Sequence, residues 1–448
     1  MNRAAQPVRY PNAGDRAVMT RRAWWLVLLN LFIPGSAQVL AGNRRLGRFG
    51  LGATLTLWTL VVVAAALFFF WRTAILWLGT NVWVLSIVQV GLVFYAVLWV
   101  ILTIDAIRLA RLVRAAPSAR PAVAGLAIVG LVAVAGVAGY GALITGSARD
   151  AISGIFGDGQ LAEPVDGRYN ILLLGGDAGP DRLGLRPDSI TVVSVDAETG
   201  ATTMIGIPRN LQDAPFAEGS PLWNEFPDGY DCGDDCLVSY LYTHGEEHPE
   251  LYPDEVAAGK DPGVEAMMDA AEGVTGLVIQ YYVLIDMQGF ASMVDALGGV
   301  DIDVKERLAL GANAFPDGTP ADPIGYIEAG QQHMDGATAL WYARSRYQTT
   351  DYDRMRRQRE VQEAIAQQFE PANVITKFQG VAAAGQQVVH TDIPSGMLAR
   401  FGDLALKTRE HPITDVELVP PLVEVDDPHY DAIHQAVADA TAPVEAKQ

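Results

Sequence analysis

Six arginines, Arg344, Arg346, Arg354, Arg356, Arg357 and Arg359, stand within sixteen residues of a 448-residue chain whose formal net charge is −20. Guanidinium groups gathered so densely in an acidic protein suit one chemistry above others, the planar, bidentate binding of oxyanions such as phosphate. Their spacing sorts them. A helix over 354–369 places Arg354, Arg357, Gln358, Val361 and Ile365 on one stripe, with Val361 and Ile365 toward the core. Arg354 and Gln358 then sit core-ward at the helix start, where positive charge opposes the macrodipole and a buried guanidinium needs a partner. A bound anion answers both needs and draws on the free N–H groups of the first turn. An internal ion pair of Arg354 with Asp351 or Asp353 is the alternative. Arg344 and Arg346 are one residue apart and point the same way if the chain leaves a helix over 335–343 in extended form. Arg356 and Arg359 fall on other sides of the helix and are expected to be solvated.

A second cluster lies in "LLLGGDAGPDRLGLRPDSITVVSVD". Asp177 directly follows an apolar run, at the carboxyl edge where open α/β sheets gather ligands. Arg186 and Asp188 stand before the next strand, and Arg209 in "GIPRNL" ends the one after it. A loop that brings Asp177 and Asp188 together offers hard oxygen ligands for Mg²⁺ or Mn²⁺; turn capping is the plainer use of either residue. Two carboxylates, a divalent ion and several arginines suit a diphosphate.

The elements that must position these groups alternate between β and α patterns. Strands are predicted at 169–176, 189–196, 201–207, 279–286 and 300–304, the second and third forming a hairpin that turns at Gly200. Helices are predicted at 263–275, at 287–299 (capped by Asp286 and stopped by Gly298-Gly299), at 335–343, 354–369 and 393–409. Residues 165–440 therefore read as an α/β domain, an αβα sandwich around one mixed sheet covered on both faces. Segment 212–262 is acidic and poor in regular pattern and reads as a solvated loop; a metal site of His244 and His248 with Glu246 and Glu247 is the alternative. The segment holds the only cysteines, Cys232 and Cys236. A disulfide between them would stabilise by about 2 kcal/mol; two free thiols, or a metal shared with His244, are the alternatives.

The front of the chain is different. Residues 1–149 carry 14 arginines, no lysine and two acids, leaving 18 basic and 50 acidic residues for the remainder. Runs 49–71, 82–104 and 122–145 are each long enough to span a hydrocarbon core without an internal charge. A fourth, 23–42, is broken at Pro34-Gly35 and contains Asn30, Ser36 and Gln38. Arginines flank these segments at 1–22, 43–48 and 105–120, and the positive-inside bias puts all three flanks in the cytoplasm. Residues 1–22 are then a cytoplasmic tail and 23–42 a re-entrant or interfacial hairpin. Three spans deliver a 149–164 linker and the domain beyond to the outside, making a multi-pass cell-membrane protein. Such a compartment permits the disulfide. It also argues against nucleic acid as a partner, as does the acidic surplus of the exported half. The tail 441–448 reads as disordered.

"NILLLGGD", "LRPDSITVVSVD", "IGIPRNL", "MVDALGGVDIDV" and "ALWYARSRYQTTDYDRMRRQ" occur in that order, and together they resemble the successive motifs of the LytR-CpsA-Psr family over roughly 165–370. The resemblance implies a membrane-anchored, extracytoplasmic phosphotransferase. Such an enzyme takes a glycopolymer from a polyprenyl-pyrophosphate carrier and attaches it to peptidoglycan through a phosphodiester, with the carrier's lipid in an apolar crevice beside the sheet. By motif, Asp177 and Asp188 match the acidic positions associated with Mg²⁺. Arg186, Arg209, Arg344, Arg346 and Arg354 match the arginines around the pyrophosphate, with Arg357 and Gln358 adjoining. Asp351 matches an acidic residue that orients arginine or assists proton removal. The sequence departs from the family pattern at Ser189, Asn210 and Asp353, and its multi-span front exceeds the single anchor helix of many members. A hydrolase using the same site, or a non-catalytic envelope regulator, are the rival functions.

Overall fold

The computed structural model describes residues 8–157, 159, 161–176, 186–311, 322–345, 347, 349–368 and 389–442. The chain divides after Asp150 into two compact units.

The first unit is helical: α1 (Arg16–Phe32), α2 (Ser36–Ala41), α3 (Arg44–Phe70), α4 (Arg72–Thr80), α5 (Val82–Ala110) and α6 (Ala119–Ile155). The helices of α3, α5 and α6 are long and apolar enough to cross a membrane. The break expected at Pro34-Gly35 separates α1 from α2, and Gly35 takes φ 91° there. A Cβ on Gly35 would overlap the backbone nitrogen of Leu51, so only glycine lets this bend lie on α3. Polar residues that interrupt the apolar run turn inward: Asn30 donates to Thr103 Oγ1 at 3.1 Å and Gln38 to the Leu102 carbonyl at 2.7 Å. Residues 149–155, read from sequence as linker, instead continue α6.

The second unit is built on a six-stranded sheet in the order β10-β3-β2-β1-β4-β9. Its strands are β1 (Arg168–Gly176), β2 (Pro187–Asp196), β3 (Thr202–Ile207), β4 (Tyr281–Asp286), β9 (Val389–Thr391) and β10 (Thr414–Glu417). β1 pairs antiparallel with β2 and parallel with β4, so the sheet is mixed as expected. A single sheet, however, is not what forms. β5 (Val300–Val304) pairs with β8 (Gly330–Met334), and β6 (Leu308–Leu310) with β7 (Gly325–Ile327), as two separate ribbons. The cause is visible in "VDIDV", whose Asp301 and Asp303 face water while the valines and Ile302 are buried; a strand covered on both faces could not carry them.

Alternation along the central strands divides the sheet's faces. Leu172, Leu174, Ile190, Val192, Ile205 and Ile207 enter the main core. Opposite them, that core draws on the segment expected to be a solvated loop, including Phe216, Leu222, Tyr230, Val238 and Leu241. Segment 212–262, which includes α7 (Leu241–Glu247), therefore covers one face of the sheet together with α9 (Pro262–Thr275) and α14 (Tyr430–Thr441), while α8 (Pro253–Ala257) buries no residue of its own. The segment's apolar residues are spaced between turns without period 2 or 3.6, which hid them. Cys232 and Cys236 are bridged across a single 3₁₀ turn. His244 binds Glu225 at 2.9 Å and packs on Phe226, and no His, Cys, Asp and Glu cluster suited to a metal occurs among the described residues.

The other face carries α10 (Met287–Leu297), α11 (Gly336–Arg344), α12 (Asp351–Gln368) and α13 (Leu398–Thr408). Asp286 caps α10 by accepting from the Gly289 N–H, and Gly298 ends it in the left-handed region, both as predicted. α12 begins three residues earlier than the predicted 354 because Thr350 and Asp353 form a reciprocal cap: Asp353 Oδ2 accepts from the Thr350 N–H at 2.9 Å, and Thr350 Oγ1 accepts from the Asp353 N–H at 3.1 Å.

Burial, and then the neighbouring Asp415 carboxyl of β10, push the Glu363 carboxyl of α12 up to about 8. A carboxyl raised on folding stabilises fully below its ordinary range, and that stability is lost as pH rises through the folded value. Thermal unfolding followed from pH 5 to pH 9 is expected to show the second unit weakening toward pH 8, and Glu363→Gln is expected to flatten that decline.

Candidate active site

β1 lies in the middle of the sheet, yet Ile171, Leu173 and Gly175 are only half-buried while their alternates are covered. Their side of the sheet faces a cavity of about 350 Å³. Val193, Met204, Val283 and Ile285 extend its floor, and Phe290 and Met293 of α10, Leu340 of α11 and Val361 and Ile365 of α12 roof it. A hydrocarbon is the natural guest for so apolar a space. Its polar lining includes Asp188, Ser189, Asp286, Arg344 and Gln358. Asp188, Ser189 and Asp286 lie at the edge where β1 and β4 end and β2 begins.

At that edge four charged side chains interlock. Arg209 Nη1 donates to Asp188 Oδ1 at 2.6 Å, and Arg209 Nε lies 3.7 Å from Asp351 Oδ2. Arg354 grips Asp351 with two bonds, Nε to Oδ1 at 3.1 Å and Nη2 to Oδ2 at 2.8 Å. Its Nη1 donates to the Asp188 carbonyl at 2.9 Å. Arg354 is 2 % exposed, so the internal ion pair offered as an alternative is present and meets the burial cost. Arg209 differs: its Nε is buried and has no hydrogen-bond acceptor among the described residues, while a third of the side chain remains open to solvent. A buried N–H left without an acceptor is costly; that Nε is closed to solvent, so an anion at this edge would meet the open third of the Arg209 side chain instead.

The remaining arginines separate by role. Arg344 ends α11, where the helix dipole favours a cation, and lines the cavity. The Arg186 guanidinium stacks 4.4 Å from the Tyr240 ring centroid, a support the sequence did not reveal. Arg357 is buried and donates to the Tyr342 carbonyl at 2.9 Å, to the Ser345 carbonyl and to Thr349 Oγ1 at 3.3 Å; it braces the chain leaving α11 and turns its donors away from the cavity. Gln358 lines the cavity as its stripe implied. Arg356 is solvated and pairs with Asp353 at 3.2 Å. Arg359 was expected to be solvated and is not: it is 3 % exposed and paired with Glu417, because α12 lies across β3 and β10 and so has a second buried side. Asp177 and Arg346 lie outside the described residues.

The sequence model described as the LytR_cpsA_psr family matches residues 148–421, more than half of the chain. A relative from Halalkalibacterium halodurans named polyisoprenyl-teichoic acid–peptidoglycan teichoic acid transferase TagU is 26% identical over 227 residues, covering 50% of this chain and 61% of the relative. The cell wall biosynthesis protein LcpA of Corynebacterium glutamicum is 27% identical over 283 residues, covering 56% of this chain and 51% of that protein. The chain thus spans about half to three-fifths of the length of these relatives. The crystal structure of TagV from Bacillus subtilis covers 62% of this chain and 97% of its own, with a TM-score of 0.44 at 20% identity.

Two substitutions are expected to part stability from binding. Arg354→Ala removes three bonds of a buried guanidinium and is expected to cost about 2–3 kcal/mol in denaturant unfolding. Arg209→Ala breaks a partly exposed pair and is expected to cost about 1 kcal/mol or less, yet to abolish binding of a prenyl pyrophosphate measured by calorimetry.

Proposed function

The chain belongs to the LytR-CpsA-Psr family, and from that premise we propose that it transfers a glycopolymer from a polyprenyl-pyrophosphate carrier to peptidoglycan through a phosphodiester bond. The observation that carries the reading is the junction, at one sheet edge, of an apolar cavity with the partly open Arg209 that pairs with the cavity-lining Asp188. A lipid diphosphate has that division of character, with the prenyl chain among Leu173, Val283, Met293 and Ile365 and the pyrophosphate beside Arg209, Arg344 and Gln358. The names of the relatives, teichoic acid transferase and cell wall biosynthesis protein, support the same chemistry.

The acceptor sugar hydroxyl attacks the phosphorus that bears the glycan. A new P–O bond forms, the bond to the bridging oxygen breaks, the hydroxyl proton is released and polyprenyl phosphate leaves. Positioning and charge stabilisation do most of the work in such a transfer. Arg209 and Arg344 offset charge on the transferring and leaving oxygens. Asp351, with both oxygens bonded to Arg354, orients that guanidinium and stands 3.7 Å from Arg209.

Mg²⁺ is commonly held by one or two carboxylates with substrate phosphates completing its shell. Asp188, at the cavity's polar end with Asp177 beside it in motif, fits that pattern. Bound there, the ion would neutralise phosphate oxygens. Ahead of the catalytic unit in the sequence, we read α3, α5 and α6 as three spans and α1–α2 as a hairpin that enters and leaves on the cytoplasmic side. The basic flanks favour that arrangement, with the catalytic unit outside the cell.

Purified full-length protein given a polyprenyl-pyrophosphate glycan and a peptidoglycan oligomer is expected to yield a phosphodiester-linked product by mass spectrometry. Chelation should stop the reaction and Mg²⁺ restore it, and Arg209→Ala should slow it by roughly 10²–10³-fold. Release of free glycan phosphate, with or without acceptor, would make the protein a hydrolase. Unchanged cellular function in the Arg209 variant would point to a regulator.

A further inference from the structure

We infer that Arg359, which faces away from the cavity, is a positioning residue: it bolts α12 to the sheet and so aims the Arg354–Asp351 pair at the site. The inference rests on the transfer reading for its catalytic consequence, but its geometry stands apart from it.

Two residues of α12 meet two residues of β10. Arg359 pairs with Glu417, and Glu363, one turn later, has Asp415 as its carboxyl neighbour. Four residues of helix advance about 6 Å and two residues of strand about 6.7 Å, so an i, i+4 pair on the helix matches an i, i+2 pair on the strand. β10 is in register with β3, Glu417 opposite Gly206 and Asp415 opposite Met204. Met204 lines the cavity, so all four strand residues share the face that α12 covers. Gly206 is what lets the bolt close. A Cβ there would overlap Arg359 Nη1, and the bare backbone leaves room for a guanidinium flat against the sheet.

The other anchors of α12 reach other neighbours. Arg354 ties the first turn to the Asp188 carbonyl on β2, and Arg357 ties the next to the end of α11. At the far end Gln368 donates to the Asp301 carbonyl at 2.6 Å and accepts from the Asp301 N–H at 2.8 Å, but β5 belongs to a ribbon separate from the six-stranded sheet. Arg359, five residues after Arg354 and about 7.5 Å along the axis, ties the middle of the helix to β10 of the sheet itself. A shift of α12 over the sheet would draw Arg354 off Asp188, and small misplacements remote from the chemistry can cost up to ~10²-fold in rate.

The experiment uses the full-length protein in detergent, with transfer kinetics, thermal unfolding and hydrogen exchange of the 350–356 backbone measured together. For Arg359→Gln the expected result is kcat lower by roughly tenfold, donor KM unchanged within about twofold, and faster exchange at 350–356. Arg359→Glu combined with Glu417→Arg should regain part of the loss. Glu417→Gln, which keeps an acceptor, serves if Arg359→Gln fails to fold, with the same expectations. Unchanged exchange at 350–356 in a folded variant overturns the inference, as does a raised KM at constant kcat, which would mean direct contact with the donor. If the native protein transfers nothing, the functional reading fails while the exchange measurement still decides the role of Arg359.

Discussion

A guanidinium that loses its water must find a hydrogen bond for nearly every N–H, and α12 carries three such groups. Arg354, Arg357 and Arg359 are all buried; the first two meet that need with hydrogen bonds toward β2 and toward the end of α11, whereas Arg359 relies on its ion pair with Glu417 of β10 and leaves its Nε without a hydrogen-bond partner among the described residues. Half of the arginine cluster is thus scaffold. Three fixed contacts on three neighbours leave the helix little freedom to slide, rotate or pivot, and the groups left facing the ligand inherit that rigidity. Preorganisation of this kind stabilises a transition state without reorganisation during reaction.

The same helix explains the cavity. α12 and α11 stand off the face of β1 that carries Ile171 and Leu173, and among the described residues no side chain fills the gap. Leaving apolar surface half-covered in a central strand forgoes the stabilisation that burial would bring. On the opposite face, segment 212–262 and α9 build a closed core, which supplies the stability that the open side lacks.

Much of this was legible in the sequence because it followed local rules. The strands at 169–176 and 189–196, the Asp286 cap and the Gly298 stop are set by alternation, capping chemistry and the glycine φ. The apolar face of α12 and the place of Gln358 followed from helical spacing. What failed to show depended on tertiary neighbours. The burial of Arg359 needs β10, nearly 60 residues later, although Gly206 inside an otherwise apolar strand was a sign that another group approaches the backbone there. The layer at 212–262 has no period to read. Aspartates at 301 and 303 signalled a half-exposed strand, and hence a separate ribbon, but only once its partner β8 was known.

The central claim is that one edge of the sheet joins a lipid chain to a diphosphate. Native mass spectrometry of the protein extracted from its own membranes tests it most directly. The account predicts a bound prenyl pyrophosphate that added prenyl pyrophosphate displaces and the corresponding prenyl alcohol does not. A phospholipid in the cavity, or displacement by the alcohol as readily as by the pyrophosphate, would contradict it.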